Sequence, residues 1–113
     1  MPTVAAAPHP AEGQRLDRVF AALADPTRRA ILDRLARGPS SISELAEPFT
    51  MSLPAVLKHL QILAAAGLVD RDKQGRTVHC RLDPAPIREA RTWLADRVAF
   101  WTTSLDRLPA VVG

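Results

Sequence analysis

Between Ser52 and Leu82 the apolar residues change their spacing halfway, and that change narrows the possible folds more than any other feature of the chain. Val56, Leu60 and Leu63 recur at steps of three and four, the period of a helix with one inward face. Val78, Cys80 and Leu82 then alternate with Thr77, His79 and Arg81, the period of a strand. The spacing predicts a helix capped by Ser52, with Pro54 in its first turn, running to Ala66 and stopped by Gly67. Two strands follow, the first opening at Leu68-Val69, with Gln74-Gly75 as the hairpin turn between them.

The punctuation elsewhere agrees with this. Leu16, Val19, Phe20 and Leu23 give a first helix from Gln14 onward. Asp25 as cap and Pro26 at the first helical position restart the chain as a second helix. It turns Ile31, Leu32 and Leu35 inward and ends at Gly38-Pro39. Ser41 and Glu44 form a capping box that opens a short third helix, Ile42 to Glu47, closed by Pro48. Asp83 is the expected cap of a long last helix, whose apolar positions are Ile87, Ala90, Leu94, Val98, Trp101, Leu105 and Leu108 before Pro109. The expectation is a flexible tail over 1–13, where His9 is merely solvated, one folded domain over 14–108, and a short tail over 109–113. The fold class is mainly α with a small β-hairpin. Two short helices joined by a tight turn and followed by a basic hairpin make a winged helix-turn-helix.

Composition excludes several alternatives. At 47% hydrophobic and 24% charged residues the chain is that of a folded protein, and no apolar run reaches the ~20 residues of a membrane span. The start lacks the basic and apolar regions of a secretory signal. A single cysteine, Cys80, has no internal disulfide partner, which fits a reducing cytoplasm. The formal charge of +3 is unevenly placed: residues 1–51 carry six charges of each sign and residues 83–113 four of each. Residues 52–82 carry Lys58, Arg71, Lys73, Arg76 and Arg81 against Asp70 and Asp72 alone. The whole excess sits on the fourth helix and the hairpin, which points to a polyanionic partner.

A helix ~10–12 Å wide with its side chains fits the ~12 Å major groove of DNA if its outer face is small or polar. The outer face of the fourth helix offers Ser52, Pro54, Ala55, Lys58 and Gln61, with His59 towards one edge. The hairpin, through Arg71, Lys73, Gln74 and Arg76, has the charge to lie along phosphates or a minor groove. Ser40 and Ser41, at the start of the third helix, are placed to donate to a phosphate oxygen. Arg28 and Arg29 either touch phosphate or pair with acids such as Asp25 and Asp33.

Three runs, ALADPTRRAILDRL, SISELAEPFTMSLPAVLKHLQILAAAGLV and RDKQGRTVHCRLDP, resemble the ArsR/SmtB family of bacterial winged-helix regulators. The likeness is strongest to its metal-independent, SdpR-like branch and covers roughly residues 14–108. It implies a homodimer formed by the first and last helices, Leu16, Val19, Phe20 and Leu23 on the first, binding an operator of imperfect two-fold symmetry, usually as a repressor. The last helix supports this independently. Its stripe, with Trp93, Leu94, Phe100, Trp101, Leu105 and Leu108, exceeds what one small domain needs to cover, and a second copy is the simplest partner.

The chain departs from the family pattern at two places. Leu53 and Leu57 stand where many members carry small or polar residues; they either contact thymine methyl groups or pack on the neighbouring short helix. The family's metal ligands on the third and last helices are also missing, since the third helix reads ELAEPF and the last has no His or Cys. No metal or other cofactor is expected, and no effector is legible. His59 is then a groove or phosphate contact or a packed edge residue. Cys80 is either a small buried hydrophobe or, given exposure and a low pKa, a thiol switch between protomers. No nucleophile, phosphate loop or ligand cluster argues for an enzyme. The expected function is a homodimeric regulator that binds double-stranded DNA. The alternative is a winged-helix module that binds protein without sequence-specific DNA contacts.

Overall fold

The computed structural model describes residues 10–109, with side chains from residue 13 onward. The expectations placed on residues 1–9 and 110–113, including that for His9, lie outside it. The elements in order are α1 (Pro10–Leu23), α2 (Pro26–Leu35), β1 (Ser40–Ser41), α3 (Ile42–Ala46), α4 (Leu53–Ala65), β2 (Val69–Gln74), β3 (Thr77–Leu82) and α5 (Ala85–Asp106).

Local chemistry explains most of these boundaries. Asp25 caps α2 by accepting from the Arg28 backbone N–H at 3.0 Å, with Pro26 just inside the helix. Ser41 and Glu44 complete the capping box of α3: the Ser41 hydroxyl accepts from the Glu44 N–H at 3.1 Å, and the Glu44 carboxylate accepts from the Ser41 N–H at 3.5 Å. Ser52 caps α4 through the Ala55 N–H. At its far end, Gly67 turns left-handed at φ +76°, while the Leu68 N–H reaches the Leu63 carbonyl and the Gly67 N–H that of Ala64, both at 3.0 Å. These are the two bonds of a Schellman ending, and they satisfy carbonyls the helix leaves open.

Ile31, Leu32 and Leu35 of α2, Leu45 of α3, and Val56, Leu60 and Leu63 of α4 meet Leu68, Val69 and Cys80 in one buried cluster. Each leucine so buried contributes about 1.5–3 kcal/mol. The inward stripe of α4 is therefore fixed, and its opposite side is left facing out.

Besides one-residue shifts (α3 ends at Ala46, with Glu47 as its cap, and β2 opens at Val69), four features differ from the expectation. α1 is already helical at Pro10, the first described residue, four residues before Gln14. Asp83 is not the formal cap of α5, since that position falls on Pro84; its carboxylate still accepts from the Ala85 N–H at 3.0 Å. The hairpin turn is Gly75-Arg76, because Gln74 pairs with Thr77 across the strands. Gly75 takes φ +64° while Arg76 does not have a positive φ, the pattern of a two-residue turn with glycine first. Finally, Ser40–Ser41 forms a third strand, giving an antiparallel sheet of order β1-β3-β2 in which Ser40 faces Cys80 and Ser41 faces His79. It occupies an edge of β3 that would otherwise carry unpaired backbone groups.

Candidate nucleic-acid interface

The outward side of α4 carries Ser52, Leu53, Pro54, Lys58 and Gln61, all exposed, with Ala55 and Leu57 half-buried at its margins. Leu53 is 51% exposed, and neither it nor Leu57 joins the core cluster. Apart from Leu53 the face is small at the helix N-terminus, and it bears a donor and a cation further along, as a groove-reading helix requires.

Beyond Val69, β2 is exposed on both sides, so the hairpin stands out from the body as a wing. Strand alternation sorts its charges. Arg71 and Lys73 lie on the face shared with their partners Cys80 and Val78, while Asp70 and Asp72 lie on the other with Arg81 and His79. Arg81 pairs with Asp70 at 3.3 Å, and the Gln74 amide donates to Asp72 at 3.3 Å. Among the described residues, Arg71, Lys73, Arg76 and Lys58 enter no ion pair.

Three expected contacts sit elsewhere. Ser40 is 2% exposed and Ser41 is buried, because both belong to β1. Their hydroxyls donate inward, to the Ser41 carbonyl at 3.4 Å and to the Glu44 carboxylate at 3.0 Å, so neither is offered to phosphate. His59 turns back towards α2, its Nδ1 lying 3.3 Å from an Arg28 Nη1 and 3.8 Å from the Asp25 carboxylate. Of its two readings, the structure takes the packed edge.

Among the described residues neither the Arg28 nor the Arg29 guanidinium forms an ion pair with Asp25 or Asp33. The Arg28 guanidinium donates to the Ala22 and Ala21 carbonyls at 2.8 and 2.9 Å, and Arg29 donates to Leu23 at 2.7 Å. Together they cap the end of α1, a role no sequence period signals. The Arg28 backbone N–H is also the main cause that holds the Asp25 carboxyl below its ordinary pKa. Cys80 is buried, and desolvation raises its thiol pKa, the opposite of what a reactive thiol needs. Among the described residues no three His, Cys, Asp or Glu side chains gather as a metal site.

On the opposite flank, α1 packs along α5. The Phe20 and Trp93 rings meet edge-on at 5.9 Å, Trp93 meets Trp101 at 6.3 Å, and Arg97 lies over Trp93 at 5.7 Å. Leu94, Val98, Phe100, Trp101, Leu105 and Leu108 remain exposed, Leu105 at 65%. Val98 extends the expected surface, as its place in the helical stripe signals. Val19 is a correction: at 3% exposure it is buried within the protomer and not presented to a partner, while Leu23 is half-buried with one side packed on the core. Leu16 and Phe20 are half-buried. No helix of the described residues is long and apolar enough to cross a membrane.

Residues 23–72 match the model of a helix-turn-helix domain. The chain is 50% identical over 90 residues to the HTH-type transcriptional regulator Rv2034 of Mycobacterium tuberculosis, covering 79% of this chain and 80% of that one. It is 33% identical over 79 residues to the transcriptional repressor SdpR of Bacillus subtilis, covering 70% and 88% respectively. Among solved structures, the ArsR family transcriptional regulator RHA00566 superposes with a TM-score of 0.77 at 44% identity, over 85% of this chain and 96% of that one. The homodimeric winged helix-turn-helix DNA-binding domain Mb0332 of Mycobacterium bovis does so at 0.61 and 25%, over 90% and 92%. These relatives are regulators of transcription and not enzymes. With half of the 90 aligned residues identical to Rv2034 across most of both chains, and the same winged helix underneath, this chain belongs to the ArsR/SmtB family of transcriptional regulators.

Proposed function

We propose that the protein is a homodimeric, sequence-specific repressor that binds a pseudo-palindromic operator in double-stranded DNA, in the bacterial cytoplasm. The observation that carries this is the open outer face of α4, small and polar apart from Leu53, standing beside a wing on which the unpaired Arg71 and Lys73 share one face. In this reading α4 enters the major groove, where Lys58 and Gln61 meet base edges or phosphates and Ser52, Pro54 and Ala55 permit close approach. Leu53 and Leu57, lying outside the core cluster, supply apolar contact to thymine methyl groups. Arg71, Lys73 and Arg76 follow the phosphates, with Gln74 beside them.

The exposed stripe of α5, together with Leu16 and Phe20 of α1, forms the interface with a second copy. A two-fold dimer sets two reading helices ~34 Å apart, one turn of the duplex, so each half-site doubles the demand on sequence. Footprinting on the DNA upstream of the protein's own gene tests this. Protection of an inverted repeat, lost when the repeat is scrambled, is the expected result; equal binding to both duplexes contradicts it and favours a module that binds protein.

A further inference from the structure

One guanidinium joins two helices that the proposed function assigns to different tasks. Arg28 donates through Nε and Nη2 to the last carbonyls of α1, at Ala22 and Ala21, and turns Nη1 to His59 Nδ1 on α4. Arginine has no lone pair to offer, so the last contact needs a neutral ring accepting at Nδ1. Asp25, whose carboxylate takes the Arg28 backbone N–H, closes the cluster 3.8 Å from the same nitrogen. His59 directly follows Lys58 in the reading helix. The planar fork fixes three directions at once, which a lysine ammonium on a flexible stem does not.

We propose that Arg28 is a positioning residue for DNA readout: through His59 it sets α4 against the end of α1. This rests on the DNA-binding reading given above. Since α1 borders the dimer surface, the link carries the geometry of the dimer to the two reading heads. It therefore helps to fix their separation as well as holding the α1–α2 corner. A capping arginine with no further role would lower stability alone. A positioning arginine also changes operator affinity and the tolerance for half-site spacing, in a way that depends on His59.

The test is a double-mutant cycle of Arg28→Lys and His59→Leu, with His59→Asn as the conservative replacement, because its amide oxygen can accept near the place of Nδ1. Operator affinity is measured by fluorescence anisotropy, on the selected operator and on operators with one base pair added to or removed from the spacer. Urea midpoint and dimer fraction are recorded alongside. Each single variant should bind about tenfold more weakly, and the double variant no more weakly than either single one. His59→Asn should recover most of the affinity, and the weakened variants should discriminate less between spacings. Additive losses, or wild-type affinity and spacing preference in a dimeric His59→Leu, would overturn the coupling while leaving DNA binding intact. A wild-type dimer that prefers no duplex would instead overturn the underlying reading, and this one with it.

Discussion

Lys58 is the only lysine or arginine in α4, and it enters no ion pair among the described residues. No charge among the described residues pairs with it, and the proposed DNA contact accounts for it. Lys58→Ala should leave the urea midpoint unchanged, weaken operator binding, and flatten the plot of log affinity against log salt by about one unit for each half-site. An unchanged slope would remove Lys58 from the interface. Asp25 is the opposite case, a charge spent inside the fold. The Arg28 N–H holds its pKa down, helped by the Arg28 guanidinium. A depressed carboxyl stabilises the fold above its unfolded pKa, and that contribution disappears as pH falls below about 4 and through the folded value. Asp25→Asn keeps a cap but no charge, so it should flatten the acid limb of stability measured by urea titration from pH 6 to pH 3. An identical limb in both proteins would contradict the assignment. Whether an outward-facing residue was legible in the sequence depended on its period. Lys58 was, because the helical stripe places it outside; His59, on the edge, was not, because its direction is settled by Arg28 from a helix about thirty residues away.

Helix boundaries were legible wherever a cap and a period coincide, as at Ser41, Ser52 and Gly67. Gly67 tests this directly. Its φ of +76° disfavours any residue with a Cβ, and a Cβ there would also lie 3.4 Å from Pro86 Cγ in the first turn of α5. Gly67→Ala should cost about 1–2 kcal/mol, a fall in melting temperature of roughly 5–10 °C by calorimetry, with α4 still helical. Stability equal to wild type would mean that the turn between α4 and the wing is not held as described. Where a period is missing, the element was not legible. Ser40–Ser41 is too short to alternate, and only its pairing with Cys80 and His79 makes it a strand. For the same reason its hydroxyls looked available to phosphate when they are buried. The hairpin turn moved by one residue because Gly75 suits either placement. What decides between them is the cross-strand register, Val69 against Leu82 and Asp70 against Arg81.

At the scale of the molecule, the two flanks are chemically distinct: an open polar helix with a basic wing on one side, an apolar stripe of α5 on the other. The charge count located the basic region, but only the register divides it into a cationic face and an acid-bearing one. The surplus of the stripe was legible from its length, whereas Val19 was misplaced because a helical period cannot tell the inside of a protomer from its interface. Leu105 is 65% exposed and lies outside the core. Leu105→Glu should therefore leave the fold intact by circular dichroism while shifting sedimentation from dimer towards monomer. A dimer of unchanged strength would move the interface off α5. The most direct measurement of the whole account is selection of bound duplexes from a random DNA pool. One enriched inverted repeat is expected, its half-sites about 10 base pairs apart, centre to centre; a pool that stays random, or yields only a lone asymmetric half-site, would contradict a two-fold reader of DNA.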